Sequence, residues 1–224
     1  RVLDVATGSG NAAIAAARAG AVVTGLDYVR ALLARARARA AAEGFEIELV
    51  EGDAEALPFA DASFDATISV VGVMFTPDHA RAASEMLRVT RPGGTIALAN
   101  WTPSGFVGEM LRTVGRHVPP PAGLRSPSEW GTEPHLEELL GDGVSELLVR
   151  PRTFVFRFRS ADDFVDFFRT NYGPVHTAFA KLDDAGRAAL HRDLAQLAAT
   201  HDRAVGPSPA IPAEYLEVLA TRRS

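Results

Sequence analysis

Three aspartates stand where a carboxylate can meet a bound molecule. Asp4 lies in the apolar run VLDV, Asp27 closes AVVTGLD, and Asp53 closes IELVEGD. A carboxylate at such a strand end can accept both hydroxyls of a ribose, as at Asp27, or take the amino group of an adenine, as at Asp53. Between Asp4 and an alanine-rich stretch lies Gly8-Ser9-Gly10-Asn11-Ala12-Ala13, which has the spacing GxGxxA inside the longer pattern D-x-A-x-G-x-G. Glycines there let backbone approach a ligand, and a following helix offers free N–H groups. Taken singly, each aspartate reads equally well as a helix cap or a turn residue. At the ends of three successive strands they face one crevice, where open α/β sheets take their ligands.

The elements that must position these residues alternate. Strands are predicted over 2–5, 21–27, 47–53, 64–71 and 95–101, and helices over 11–19, 30–43 and 78–90, with a turn at Arg91-Pro92-Gly93-Gly94. Gly44 ends the second helix, and Asp78 suits the cap of the third. Strands separated by helices pair in parallel through right-handed crossovers, so the fold class is α/β with a doubly wound sheet. After Trp101 the pattern changes. Residues 102–135 are rich in Pro and Gly with scattered aromatics and suit a loop-and-helix cover. A helix near 134–140 leads to a strand around 147–158. Ser160 with Asp163 forms a capping-box pattern that opens a helix through Arg169. A longer helix is predicted between Asp183 and His201, a linker over 206–212 and a final strand over 214–223.

Composition narrows the function. The 224 residues suffice to bury a sizeable core. The net charge of −5 speaks against nucleic-acid and anionic-membrane partners. The basic run Arg30, Arg35, Arg37 and Arg39 reads as a solvated helix face. With no cysteine there is no disulfide framework, thiolate metal site or Cys nucleophile, which fits a reduced, cytoplasmic setting. No apolar run reaches the roughly 20 residues that span a bilayer, and no signal peptide is visible. Richness in Ala and Arg hints at a bacterial source.

The stretches LDVATGSG, VTGLDYV, VEGDAEALPFADASFD, EMLRVTRPGG and ALANW, in this order and spacing, resemble the class I S-adenosylmethionine-dependent methyltransferases. Within them the chain is similar to the ubiquinone and menaquinone biosynthesis group (methyltransferase type 11-like). The resemblance covers residues 1 to about 101. It implies a Rossmann-like, seven-stranded sheet whose last strand, EYLEVLATRR, runs antiparallel, with 147–158 as the sixth and a helical cover over the substrate side. It implies a single methyltransferase domain over 1–224: a cofactor-binding half over 1–101, cover segments over 102–146 and 159–206, and closing strands over 147–158 and 214–223. Members also carry a helical segment ahead of the first strand; here the sequence begins at that strand, and the resemblance implies a segment cut away or mobile.

Residue by residue, the resemblance implies that backbone at Ala6, Thr7, Gly8, Ser9 and Gly10 wraps the methionine part of S-adenosylmethionine. Asp4 anchors its amino group, directly or through water. Asp27 holds the ribose, with Tyr28 and Leu32 beside the adenosine, while Asp53 and Ala54 meet the adenine edge. Ser69 and Val70 line the side facing the sulfonium. Three departures stand out. Ala6 replaces a frequent Gly, Val29 replaces the Ser or Thr that often caps the second helix, and Met74 and Phe75 stand where relatives often carry His.

Methyl transfer from a sulfonium disperses charge, so it needs alignment and exclusion of water more than strong acids or bases. The sequence after the fourth strand, SVVGVMF, lacks the Pro-Pro-aromatic element of amino DNA methyltransferases. Catechol-type enzymes place metal-binding acids where Val70, Val71 and Asn100 stand. The expected activity is therefore metal-independent methylation of a small molecule, with S-adenosylhomocysteine as product. Met74, Phe75, Trp101, Phe106, Trp130 and Tyr172 are the substrate-binding candidates, with Phe179 beside them, and they suit an apolar or aromatic acceptor. Phe164, Phe167 and Phe168 fall at helical spacing and read as core. Tyr172, His176 and His135 are the candidates for catalysis and His117 a further polar one, while His191 and His201 read as solvent-facing. The sequence assigns no oligomeric state. Two other readings use the same glycines: a protein that binds the cofactor without transferring a methyl group, and a NAD(P)-dependent oxidoreductase.

Overall fold

A computed structural model describes residues 1–206 and 208–224. The strands are β1 (Val2–Val5), β2 (Val23–Asp27), β3 (Glu48–Glu51), β4 (Phe64–Val70), β5 (Thr90–Trp101), β6 (Val144–Arg157) and β7 (Ala210–Arg222). The helices are α1 (Asn11–Arg18), α2 (Arg30–Ala42), α3 (His79–Val89), α4 (Phe106–His117), α5 (Glu133–Leu140), α6 (Ala161–Asn171), α7 (Gly173–Lys181) and α8 (Asp184–His201). The strands form one seven-stranded sheet in the order β3-β2-β1-β4-β5-β7-β6.

Strands β1 to β5 pair in parallel, with Val2 opposite both Val23 and Ala66. Leu3, Val5, Val23 and Leu26 are buried, as expected of apolar strands covered on both faces. β7 is the antiparallel strand. Backbone bonds join Thr102 to Glu214, Arg223 to Gly143 and Phe158 to Pro209, so residue numbers fall on β7 as they rise on its neighbours.

Several boundaries differ from the sequence reading. The Arg91–Gly94 turn lies inside β5 as an irregularity: Phe64 pairs with Thr90 and Ala66 with Thr95, so the surplus residues bulge from the ladder. β7 starts at Ala210, which takes three residues from the expected linker; Pro207 of that linker lies outside the described residues. α7 was not anticipated. Its Pro174 occupies the first turn, where the missing N–H costs nothing, so the pair Gly173-Pro174 starts a helix. Ser160 does cap α6, its Oγ accepting from the Asp163 N–H at 3.0 Å. The Asp163 carboxylate, however, accepts from the Arg159 N–H at 3.1 Å, one residue earlier than a capping box requires.

The chain divides into two compact units, residues 1–100, 125–150 and 216–224 in one and 101–124 with 151–215 in the other. The second unit has an aromatic core. Phe106 packs on Phe164 at 5.3 Å, and Phe168 on Phe156 at 5.4 Å. Phe164 and Phe168 are buried, whereas Phe167 of the same expected core stripe is exposed. Among the described residues, no helix is long and apolar enough to cross a membrane.

In the first unit, a buried carboxylate holds the long connection between β3 and β4. Glu85 on α3 accepts from the Leu57 N–H at 2.7 Å and from Arg88 at 2.8 Å. Arg88 in turn donates to the carbonyls of Phe59 at 2.7 Å and Leu57 at 2.9 Å. The Arg88 guanidinium keeps the Glu85 carboxyl below its ordinary range. Replacing Glu85 with Ala leaves a buried N–H and a guanidinium short of acceptors. We expect Glu85→Ala to lower unfolding stability by about 2 kcal/mol in urea titrations. Ser160→Ala, which removes one cap, should cost about 1 kcal/mol in the same measurement.

Candidate functional site

The strand order reverses between β1 and β4, and the crevice outside their carboxyl ends is the ligand position of an open α/β sheet. The chain leaves β1 through a tight turn in which Ala6 has φ +55°, Gly8 +56° and Gly10 +83°. A Cβ at Gly8 would meet no atom within 4 Å, so this part of the turn faces open space. The chain leaves β4 through Val71 at φ +55°, a left-handed conformation that is a true outlier for a β-branched residue. Gly72 follows, and a Cβ there would lie 2.6 Å from the Ala6 carbonyl oxygen. The two turns touch at a place where only glycine fits. Strained residues at both exits are the kind of feature that functional sites retain.

Asp4 and Asp27, both buried, hold the first turn. Asp4 Oδ2 accepts from Thr7 Oγ1 at 2.6 Å and from the Ala13 N–H at 2.9 Å, closing the turn onto the start of α1. Burial pushes the Asp4 carboxyl up to about 7, against the pull of those two donors, and the Asp27 charge adds to the rise. Asp27 Oδ2 accepts from the Gly8 N–H and Oδ1 from the Val29 N–H, both at 2.8 Å. The second bond satisfies the N–H of Val29, the residue that precedes α2 and whose side chain provides no cap. Arg39, read from sequence as part of a solvated face, instead braces the turn: it donates to Ser9 O at 2.6 Å and to Asn11 Oδ1 at 2.7 Å.

The other cofactor-site candidates lie on neighbouring strand ends. β3 ends at Glu51, so Asp53 belongs to the following turn, not to the strand. It is exposed, and its Oδ1 accepts from the Glu55 N–H at 2.9 Å, while Ala54 is buried. Ser69 is fully buried; its Oγ donates to Val5 O at 2.7 Å and accepts from the Val73 N–H at 2.9 Å, tying β4 to β1. Leu32 is half-buried. Tyr28 and Val70 are 76% and 51% exposed, so two apolar side chains at strand ends stand uncovered.

The substrate candidates fall into both units. Met74 and Trp130 are fully buried in the first, and Phe75 is half-buried there. In the second, Trp101 packs against Phe156 at 5.8 Å and Tyr215 at 5.9 Å, and Phe106 is buried. Tyr172 packs on Phe168 at 5.4 Å, and burial of its hydroxyl pushes the phenol upward. Phe179 is buried beside the Arg169 guanidinium, whose Cζ stands 5.0 Å from the ring centroid.

Of the histidines, His176 is exposed and bonds Arg169 O at 3.1 Å, while His117 meets Asp193 at 2.8 Å. His191 is partly exposed and 3.6 Å from Asp162. His201 is not solvent-facing: it bonds Glu109 at 3.1 Å and packs on Phe106 at 5.4 Å, because the aromatic core draws in that end of α8. His135 is buried, 2.9 Å from a second buried histidine, His79. The sequence reading gave His79 no part beyond the start of a helix. Its signal was present, since His79, Ala82, Ala83 and Met86 form the buried stripe of α3.

Comparison with known proteins agrees with this geometry. Residues 3–98 match the family described as methyltransferase domain. An uncharacterized protein of Mycobacterium tuberculosis (strain H37Rv) is 47% identical over 205 residues, covering 90% of this chain and 75% of that protein. The demethylmenaquinone methyltransferase of Deinococcus radiodurans is 40% identical over 142 residues, covering 62% of this chain and 59% of that protein. In three dimensions the YcgJ protein of Bacillus subtilis superposes with a TM-score of 0.66 at 19% identity, covering 100% of this chain and 92% of that one. The doubly wound sheet, the aspartate-held glycine turn at its switch point and these relatives agree, and the chain carries an S-adenosylmethionine-dependent methyltransferase domain.

Proposed function

We propose that this chain, one methyltransferase domain, transfers a methyl group from S-adenosylmethionine to a small apolar or aromatic acceptor in a cytoplasmic setting, without a metal ion. The observation that carries the reading is the open face of Gly8, held in place by Asp27 at the switch point of the sheet. When bound, the cofactor supplies an electrophilic methyl group on a sulfonium.

This chain's residues then have separable tasks. The backbone from Ala6 to Gly10 receives the amino-acid part. The Asp27 carboxylate, already oriented by two N–H groups, accepts ribose hydroxyls with its remaining lone pairs. Asp53 and Ala54 read the adenine edge, with Tyr28 and Leu32 as apolar walls. Asp4 acts at short range through the turn it closes, and an ammonium group nearby would draw its raised pKa back down. Ser69 fixes the exit of β4, so that Val70 stays turned toward the sulfonium.

Two features support the remaining details. Val70, Val71 and Asn100 occupy the ends of β4 and β5, so neither strand presents a carboxylate there for a cation. Met74, Phe75 and Trp130 give an apolar lining next to the β4 exit, which suits an acceptor with few polar groups. Alignment in a dry pocket carries the rate in this reading.

Thermal unfolding tests the cofactor assignment. S-adenosylhomocysteine at a hundred times its dissociation constant should add about 2.7 kcal/mol of stability. The increment should vanish in Asp27→Ala. A response to NADH alone overturns the assignment, and binding without turnover of any acceptor leaves a cofactor-binding module.

Asp4 gives a second test. A native carboxyl with a pKa of about 7 keeps a proton that the unfolded chain loses near pH 4. The native state therefore binds more protons between these values, and stability falls as pH rises through that window. The limiting slope is about 1.4 kcal/mol per pH unit. Urea titrations from pH 4 to 8 should show this slope in the native chain and a flatter one in Asp4→Asn. Parallel profiles would refute it.

A further inference from the structure

The first unit holds a polar relay that runs from an exposed carboxylate to two buried histidines and that the cofactor site does not use. Glu138 Oε2 lies 2.9 Å from His135 Nδ1, and His135 Nε2 lies 2.9 Å from His79 Nδ1. A carboxylate only accepts, so with both rings neutral His135 carries its proton on Nδ1 and leaves Nε2 bare. That bare nitrogen takes the His79 Nδ1–H, and His79 Nε2 is left as a lone pair. Arg125 Nη1 also lies 3.2 Å from His135 Nδ1, but it is 3.2 and 3.3 Å from the two Glu138 oxygens, and those acceptors suit a guanidinium.

The relay ends on an atom with no partner. His79 is 2% exposed, and its Nε2 has no hydrogen bond among the described residues. Trp130 is 0% exposed, its ring centroid is 5.6 Å from that of His79, and its Nε1–H is likewise unpartnered. One nitrogen must accept and the other must donate. A hydroxyl answers both, donating to His79 Nε2 and accepting from Trp130 Nε1–H. An orphaned polar atom in such a place is costly to keep, which gives a hydroxyl that enters there its binding energy.

The fold places this pair beside the crevice. His79 opens the helix that follows β4, and Trp130 lies in the short helical turn Pro127–Gly131, which packs on the turn Val73–Phe75 at the β4 exit. Asn100, two residues beyond Leu98, shares a sheet face with Ser69, because Leu98 pairs with Ser69. Ser69 Oγ holds the Val73 N–H of that same turn. The Asn100 amide is fully buried, and neither its oxygen nor its nitrogen has a partner among the described residues. Unsatisfied polar atoms thus occur on elements at and after the β4 exit, where Val73, Met74 and Leu136 are also buried.

We propose that His79 and Trp130 form a specificity subsite for a hydroxyl group carried on an apolar frame, and that this group belongs to the methyl acceptor. The subsite rests on the methyl-transfer reading for its role and on its own geometry for its chemistry. A buried water offers the same O–H, so the test must tell the two sources apart.

Equilibrium dialysis of the full chain, saturated with S-adenosylhomocysteine, does so with 2-naphthol and 2-methoxynaphthalene. The ether keeps the apolar frame but cannot donate to His79. The native chain should prefer the naphthol by about tenfold, the factor expected for one hydrogen bond of this kind. His79→Leu should reduce the preference to about twofold or less, whereas Trp130→Phe removes a donor that the ether oxygen can also use and should weaken both compounds about equally. His79→Gln, which restores an acceptor oxygen, should recover part of it, and S-adenosylhomocysteine should bind all variants as it binds the native chain. If His79→Leu fails to fold, His79→Phe, which keeps a ring and lacks the acceptor, carries the comparison with His79→Gln. No preference in the native chain means that the pair holds only water, and a preference that survives loss of the His79 acceptor places the hydroxyl elsewhere. Either result overturns the proposal. Failure of S-adenosylhomocysteine to bind the native chain would instead sink the methyl-transfer reading.

Discussion

The bond from the Gly8 N–H to the Asp27 carboxylate ties the turn after β1 to the end of β2, and the cofactor end of the sheet depends on it. Without it, the turn would carry an unpaired backbone donor beside a buried charge. With it, the same carboxylate also starts α2 by accepting from the Val29 N–H. Asp4 repeats the device one strand away, joining the turn to the start of α1. Burial of the Asp4 carboxylate is unfavourable, with the nearby Asp27 charge adding to it, and the raised Asp4 pKa records that cost. Asp27 therefore gives the site negative potential before any ligand arrives, a preference for cationic groups built from the backbone's need for acceptors.

Most of this was legible in the residues because it is local. Apolar runs ending in an acid, followed by small residues and a helix, fix β1 to β5 and their parallel order. The spacing of Asp4, Gly8, Gly10 and Asp27 fixes the turn. What escaped the sequence depends on partners distant along the chain. Arg39 looked like one more cation on a polar helix face, and only the packing of α2 beside the turn gives it Ser9 and Asn11. His79 and His135 are 56 residues apart, and nothing in either neighbourhood announces the other. α7 was hidden by Gly173-Pro174, a pair that signals a turn as readily as a helix start. His201 escaped for a related reason, since an aromatic core assembled from α4, β6 and α6 decides which helix ends are drawn inward.

Fold and chemistry separate cleanly in this chain. The sheet and its switch point are common to proteins with unrelated activities, so they establish where a ligand sits and not what happens to it. Identity of chemistry rests on particular groups, the aspartates on one side and unsatisfied nitrogens and amides on the other. The contact between Gly72 and Ala6 joins these two sides physically, because the exit of β4 cannot shift without disturbing the turn that faces the cofactor.

The position of β7 has a consequence for how such a chain comes into being. β6 is synthesised before β7, yet in the finished sheet β7 lies between it and β5. On the ribosome, β6 must therefore wait without its sheet neighbour until some fifty further residues have emerged. At elongation rates of about 5–20 residues per second this exposure lasts several seconds. Premature pairing of β6 with β5 would close the sheet in the wrong order. The nascent chain thus carries a period of vulnerability set by topology alone, whatever the stability of the finished fold.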